Sequence, residues 1–344
     1  MYSREVDRMW HVVGHDWAVR VFESSLETGK VSHAYLFAGP PSVGKTTLAL
    51  NLAQALNCQR QNRPCQECES CRRIGDGLHP DVRMVDLHYQ ALLRDEEDAD
   101  QKELRVDTVR HITEEASLRP FEGQWKVFII PQAEMMNVQA GNSLLKTLEE
   151  PPAHVVLILT TRDRRLLLPT IVSRCQIFGL RLVPTEMISR ELRQRYGMDP
   201  SRASLLASLS AGRIGWAICA AENEAGLQQR EDTVRQLVGL ARMGKLDRLD
   251  FAERLARHSG RIKDVLESWL SLWRDLLLIK GGSADSISNI DMVQSLEQDA
   301  QRYELRDIVG FIRSILATQE RLDNSVDARL ALEVLMLDLP SRAN

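Results

Sequence analysis

The segment Gly39-Pro40-Pro41-Ser42-Val43-Gly44-Lys45-Thr46 matches the phosphate-loop pattern G-x-x-x-x-G-K-[ST]. It follows the apolar run Ala34–Ala38 and precedes the helical pattern Thr47–Leu56, which is the strand–turn–helix context that a phosphate loop requires. Glycines let backbone N–H groups approach a phosphate closely, and the N-terminus of the following helix favours an anion. A bare structural turn is the alternative. We predict an ATP or ADP site with Mg²⁺ that is formed by Gly39, Pro40, Pro41, Ser42, Val43, Gly44, Lys45, Thr46 and Thr47.

The rest of the N-terminal half alternates strand and helix patterns. Short β-branched runs predict further strands at Val82–Val85, Val127–Ile130 and Val155–Thr160, and helical patterns lie between them. This alternation predicts an α/β domain with a mostly parallel sheet. Beyond Pro184 the pattern is helical, and the polar stretch Glu222–Gln229 separates two helical pieces. We therefore expect an α/β domain over 1–180, a small helical lid over 181–225 and an all-α domain over 226–344.

The composition limits where the protein acts. The 344 residues carry a net charge of −4, which argues against a generally basic surface that coats nucleic acid. Apolar runs fall short of the roughly 20 residues that cross a bilayer, and Met1–Trp10 does not resemble a signal peptide. We expect a cytoplasmic protein that does not contact membranes.

Four of the six cysteines lie close together in the sequence, at Cys58, Cys65, Cys68 and Cys71. Four thiolates at this spacing can close around Zn²⁺, and a site with four sulfur ligands has no open position for a substrate. We predict a structural zinc module at 58–71, inserted in the α/β domain. An iron–sulfur cluster and free thiols are the alternatives.

A P-loop protein that hydrolyses ATP normally has an acidic residue after a second strand, where it holds Mg²⁺. Here the run Val127–Ile130 is followed by Pro131-Gln132-Ala133-Glu134. Proline offers no ligand, and glutamine is not a base. Glu134 lies two positions too far along for a one-residue shift to correct. Unless another segment forms this strand, the sequence predicts that ATP is not hydrolysed.

Several segments resemble one known family over nearly the whole chain. These are His33–Phe37 before the phosphate loop, the cysteines after the next helix, Asn142–Pro152, and Ser173-Arg174-Cys175. They resemble the AAA+ clamp-loader subunits of bacterial DNA polymerase III. The resemblance implies an AAA+ domain, a helical lid and a helical collar that oligomerises. It also implies a role in loading the ring-shaped sliding clamp on primed DNA.

Within this family, the chain is most similar to the delta-prime type, whose members typically do not hydrolyse ATP. Pro131 and Gln132 stand where an ATPase has acids, and Gly215 stands where ATPase subunits have an arginine that senses the γ-phosphate; Arg213 is the alternative. The implied partners are the gamma/tau and delta subunits, and, through the complex, the sliding clamp and primer-template DNA. An active gamma/tau-like motor and an unrelated zinc-bearing P-loop protein that binds nucleic acid are the other hypotheses.

The resemblance also implies roles for three further positions. Arg174 would face the ATP of a neighbouring subunit and act there in trans. Thr160, at the end of a strand, would take the position of the residue that senses the γ-phosphate, with an ordinary strand-terminal threonine as the alternative. Val12-Val13-Gly14 would line the adenine pocket, with a plain turn as the alternative.

Overall fold

A computed structural model describes residues 9–97, 101–323 and 326–340. Of the N-terminal stretch Met1–Trp10, only Met9 and Trp10 are therefore described. Contacts along the chain divide it into two compact units. One comprises residues 1–187 with 213–215, and the other comprises residues 188–212 with 216–344. The division into an α/β domain, a lid and a collar remains a prediction.

The first unit contains a five-stranded parallel sheet with the strand order β2-β3-β4-β1-β5. The strands are β1 (Ala34–Ala38), β2 (Val82–Met84), β3 (Lys126–Ile130), β4 (Val155–Thr161) and β5 (Gln176–Gly179). The sequence predicted the first four of them. It gave no signal for β5, because this edge strand buries Phe178 while its other three residues are exposed. The predicted α/β class with a parallel sheet is confirmed.

Helices cover both faces of this sheet. Tyr35, Phe37 and the odd-numbered residues of β3 pack on one side with α1 (Asp16–Glu27) and α2 (Lys45–Asn57). Alternate residues of the same strands pack on the other side with the helices that follow β2, β3 and β4. Successive side chains of a strand point to opposite faces, so a sheet buried on both sides produces continuous apolar runs. This explains why these strands were easy to recognise in the sequence.

The remaining helices of the first unit are short connections between strands. A seven-residue helix, α3 (Glu69–Gly75), begins within the cysteine segment, contains Cys71 and precedes β2, so residues 58–71 lie between α2 and β2. The other helices are α4 (Leu87–Arg94), α5 (Val106–Ala116), α6 (Val138–Glu149) and α7 (Pro169–Val172). α5 lies between β2 and β3, and α6 lies between β3 and β4, where the sequence shows helical patterns.

The second unit is helical where it is described. Trp269 and Leu272 of the long helix α13 (Ser259–Lys280) are buried in the core of this unit, and the helix ends at Gly281. Within the predicted boundary Glu222–Gln229, Asn223 alone separates two helices, α10 (Ile214–Glu222) and α11 (Glu224–Leu240). Gln228 and Gln229 are exposed on α11, and a polar pattern of this kind does not distinguish an exposed helix from a linker. The helices are α8 (Thr185–Tyr196), α9 (Pro200–Leu209), α10 (Ile214–Glu222), α11 (Glu224–Leu240), α12 (Lys245–Ala256), α13 (Ser259–Lys280), α14 (Val293–Arg302), α15 (Leu305–Asp323) and α16 (Ala328–Asp338).

Within the described ranges, no helix is both long enough and apolar enough to cross a bilayer.

Candidate functional site

The phosphate loop lies where the carboxyl ends of the central strands meet. The chain leaves β1 towards β2 at one edge of the sheet, whereas it leaves the neighbouring strand β4 towards β5 at the other edge. Ligands of parallel sheets bind at such a switch point. The N–H of Gly39 donates to the carbonyl of Thr161 at 3.1 Å, and the N–H of Gln132 donates to the hydroxyl of Thr160 at 3.2 Å. The turns after β1 and β3 are thus both attached to the end of β4.

Two glycines of the loop are required by the local geometry. A Cβ atom on Gly39 would lie 2.3 Å from the carbonyl oxygen of Leu180, so only glycine allows the chain to pass this close to the segment after β5. Gly44 precedes α2 with φ at +100°, a left-handed conformation that glycine adopts without steric cost. Glycine at these two positions therefore shapes the loop and the start of the helix whose N-terminus would face a phosphate.

Lys45 is folded back over the loop. Its Nζ atom donates to the carbonyl oxygens of Gly39 and Pro40 at 2.7 and 2.6 Å. Burial lowers the pKa of Lys45 to about 8, while the negative charge of Glu134 acts in the opposite direction. A cationic amine held at the loop can bind a phosphate by exchanging these contacts with neutral carbonyl oxygens for contacts with negatively charged oxygens, which are stronger.

The positions after β3 carry no carboxylate until Glu134. Pro131 directly follows the strand, and Gln132 has an exposed side chain and a left-handed φ of +49°. Thr160 is buried, and its hydroxyl accepts the Gln132 N–H. Thr160 therefore lies between the turn after β3 and the phosphate loop after β1, and its role as a sensor of the γ-phosphate stays a prediction.

Glu134 is a residue whose position the sequence did not predict. A 3₁₀ turn over Ala133–Met135 follows Gln132 and folds the chain back. Glu134 is only 12% exposed, and its charge acts on Lys45. Counting positions from the end of β3 excluded Glu134, because such counting assumes an extended chain. The left-handed Gln132 breaks that assumption, and a non-glycine residue in this conformation has no reliable signature in the sequence.

The segment predicted to line an adenine pocket packs beside the phosphate loop. Val12 and Val13 are buried, and the Nε2 atom of His15 lies 2.9 Å from the carbonyl oxygen of Val43. Burial lowers the pKa of His15, so the ring is neutral near pH 7 and its Nε2–H donates to that carbonyl. Gly14 has φ at +81°, which a side chain would strain.

Gly215 also contacts the loop. Its N–H donates to the carbonyl of Ser42 at 2.8 Å, and a Cβ atom at this position would lie 3.1 Å from the same oxygen. Gly215 is therefore at the phosphate loop and contributes a backbone group; its alignment with the sensing arginine of ATPase subunits stays a prediction. Arg213, the alternative, lies two residues earlier in the chain.

Arg174 lies just after α7 and is partly exposed. Its Nη2 atom forms an ion pair with Glu149 at 2.7 Å, and its Nη1 atom donates to the carbonyl of Thr170 at 2.9 Å. The guanidinium group is thus held on the surface by the last residue of α6.

The four clustered cysteines come together around one point. Their sulfur atoms all lie within 4.8 Å of one another, and those of Cys65 and Cys71 are 3.9 Å apart. Zinc–sulfur bonds of about 2.3 Å in a tetrahedron separate the sulfurs by about 3.8 Å, so the cluster fits a metal of this size. Cys58, Cys68 and Cys71 are buried, as expected for a closed structural site.

Hydrogen bonds within the cluster favour the thiolate at one position. Burial raises the pKa of Cys65, but backbone N–H groups of Cys68 and Glu67 outweigh it and lower the pKa to about 6. Burial raises the pKa of Cys71 well above its ordinary value. A metal would have to displace the proton of Cys71, because thiolates and not thiols are the ligands.

The parallel sheet, the phosphate loop at its switch point and the second, helical unit define the chain as an AAA+ P-loop protein. Two family models match most of its length. Residues 14–184 match "DNA polymerase III, delta subunit", and residues 224–340 match "DNA polymerase III, delta subunit, C terminal".

Proteins with related sequences carry matching names. The chain is 29% identical over 330 residues to DNA polymerase III subunit delta' of Bacillus subtilis, covering 93% of this chain and 94% of the relative. It is 29% identical over 352 residues to subunit tau of Escherichia coli, covering 95% of this chain and 52% of the relative. The chain therefore spans about half the length of this tau relative. A solved gamma-subunit-related protein from Thermotoga maritima is 16% identical, with a TM-score of 0.44 over 92% of this chain and 97% of the other.

The chain belongs to the family of DNA polymerase III clamp-loader subunits, as a member of the delta-prime type.

Proposed function

We propose that this chain acts in the clamp loader as a delta-prime-type subunit that binds nucleotide without hydrolysing it and acts on a neighbour's ATP through Arg174. One observation carries the proposal: the phosphate loop is complete, while the two residues directly after β3 are Pro131 and Gln132. Nucleotide binding and ATP hydrolysis need different groups. Here the phosphate loop, which binds nucleotide, is kept, whereas proline stands in place of the acid directly after β3.

The roles in the proposed nucleotide site follow from the groups present. The loop N–H groups and Lys45 would bind the phosphates, and the Thr46 hydroxyl would hold Mg²⁺, which neutralises phosphate charge when bound. Gln132 can orient a water molecule but cannot take its proton. The nucleotide would therefore act as a structural ligand of this subunit.

The proposed role of Arg174 follows from its chemistry and exposure. A guanidinium group can place two donors on a γ-phosphate and stabilise the charge that develops in the transition state. Arg174 is held on the surface by Glu149 and is accessible to a neighbouring subunit.

We propose Zn²⁺ as the metal of the cluster of Cys58, Cys65, Cys68 and Cys71. Four sulfur ligands with no open position are typical of structural zinc. The metal would hold the segment between α2 and α3 and would take no part in chemistry at the phosphate loop.

The proposed partners are the gamma/tau and delta subunits, with the sliding clamp and primer-template DNA reached through the complex, in the cytoplasm where replication occurs. The test is reconstitution. The chain should co-purify with gamma/tau and delta subunits, and a loader assembled without it should fail to load clamps on primed DNA. If the loader is equally active without the chain, the proposed function is wrong.

A gamma/tau-like motor is the second candidate, and the intact phosphate loop favours it. The two functions differ in a phosphate-release assay on the isolated chain with clamp and primed DNA. A motor would turn over ATP, and Lys45→Ala would abolish that turnover. The delta-prime-type function predicts negligible release in both forms.

A further inference from the structure

Glu134 has one carboxylate oxygen that its surroundings leave unsatisfied. Oε2 is buried and finds no hydrogen-bond partner among the described residues. The other oxygen, Oε1, accepts the backbone N–H of Arg162 at 3.3 Å, and the Nε atom of Arg162 lies 3.9 Å from it. Buried polar atoms are nearly always paired, and a buried carboxylate oxygen without a partner calls for an ion or a water.

The fold directs this carboxylate to the phosphate end of the sheet. Glu134 lies in the 3₁₀ turn after β3, and Arg162 directly follows β4. Both segments leave the carboxyl edge from which the phosphate loop leaves β1. The negative charge of Glu134 also raises the pKa of Lys45, which belongs to the phosphate loop, against the effect of burial.

We propose that Glu134 is the acidic group of the Mg²⁺–nucleotide site and that it holds the ion together with the Thr46 hydroxyl. This inference rests on the nucleotide site of the proposed function. In protein sites, Mg²⁺ keeps several waters and is bound by one or two carboxylates together with substrate phosphates. Such a site needs a carboxylate within reach of the ion or of its waters. Pro131 and Gln132 provide none, and the turn at Gln132 brings in the carboxylate of Glu134 instead.

A purely structural role for Glu134 makes a different prediction. If the carboxylate only anchors Arg162, then its removal changes the stability of the turn and leaves the effect of Mg²⁺ on nucleotide binding intact. The dependence of binding on Mg²⁺ therefore separates the two roles.

The experiment measures ATP and ADP binding to the full chain by calorimetry, with saturating Mg²⁺ or with EDTA. Wild type should bind ATP about tenfold more tightly with Mg²⁺, a difference of about 1.4 kcal/mol. Glu134→Gln should lose most of this preference. Its binding in EDTA should be equal or tighter, because a negative charge near the phosphates has been removed.

Two variants complete the design. Glu103→Gln removes an exposed carboxylate that accepts a hydrogen bond from Asn137 at 3.0 Å, and it should keep the Mg²⁺ preference. Gln132→Ala tests whether the residue nearer to β3 holds the ion through water. If Gln132→Ala abolishes the preference and Glu134→Gln does not, the assignment of Glu134 is wrong.

The remaining outcomes are equally decisive. Glu134→Gln should fold, because glutamine has the shape of glutamate and its side-chain oxygen can accept a hydrogen bond from the Arg162 N–H. Thermal melts of the variant check that it is folded. If Glu134→Gln does not fold, Glu134→Ala replaces it and should show the same loss. A folded variant that keeps the full Mg²⁺ preference overturns the role of Glu134 and leaves the nucleotide site standing. If wild type binds neither nucleotide, the proposed site and this inference are both wrong.

Discussion

Replacing Arg174 with alanine should have a small effect on the isolated chain and a large effect on the assembled loader. In the isolated chain the guanidinium group forms an ion pair with Glu149 at 2.7 Å and a hydrogen bond to Thr170 at 2.9 Å. The side chains of Arg174 and Glu149 are 35% and 50% exposed. Exposed ion pairs contribute about 0–1 kcal/mol, and one hydrogen bond adds about 1 kcal/mol. We expect Arg174→Ala to lower the free energy of unfolding by about 2 kcal/mol at most.

In the loader the same side chain is expected to matter far more. An arginine that reaches into a neighbour's ATP site is worth about 10³-fold or more in rate, or about 4 kcal/mol. Releasing Arg174 from Glu149 costs about 1 kcal/mol or less, because water screens this pair. Binding to a γ-phosphate therefore outweighs the ion pair. Other ATP sites of the loader would keep their own arginines, so ATP turnover by the complex should become slower but should not stop.

The assay is ATP turnover and clamp loading by the reconstituted complex, with melts of the isolated variants. Arg174→Lys keeps the charge but not the two-donor geometry, and should be nearly as slow as alanine. Glu149→Gln frees the guanidinium and should leave turnover unchanged or raise it by up to about fivefold. Clamp loading at the wild-type rate with Arg174→Ala would refute the role in trans. A loss of stability well above 2 kcal/mol would make Arg174 a structural residue instead.

Three further results are expected. Native mass spectrometry should find one Zn²⁺ per chain in wild type and in the control variant Cys219→Ser, whose cysteine is exposed, and none in Cys68→Ser. Iron, or no metal in wild type, would contradict the assignment of zinc. Lys45→Ala should weaken ATP binding by about 10-fold or more in calorimetry, because a charge-assisted contact worth about 1.5–3 kcal/mol is lost; unchanged affinity would exclude the loop as the site. In urea denaturation, Gly39→Ala should lower the free energy of unfolding by about 1–3 kcal/mol, because the added Cβ would meet a carbonyl at 2.3 Å. Gly260→Ala, a helical position where the described atoms leave the new Cβ open space, should not lower it.

The sequence alone determined the features that depend on neighbouring residues. The phosphate loop is encoded by eight consecutive residues, and the cysteine cluster by fourteen, so both are recognisable without knowledge of the fold. The strands β1 to β4 were recognisable because the sheet is buried on both faces, which makes their sequences continuously apolar. The family also followed from local motifs, since each lies within a short segment.

Only the tertiary structure decided the features that join distant segments. β5 is an edge strand held by pairing with β1, and its own residues give almost no hydrophobic pattern. The pairing of Arg174 with Glu149 spans 25 positions, and no local rule specifies it. By its distance along the chain from β3, Glu134 does not qualify as the acid that follows this strand. The left-handed Gln132 and the turn after it place its carboxylate at the phosphate end of the sheet. The physical reason is that distance along the chain equals distance in space only while the backbone is extended, and a single turn removes that relation.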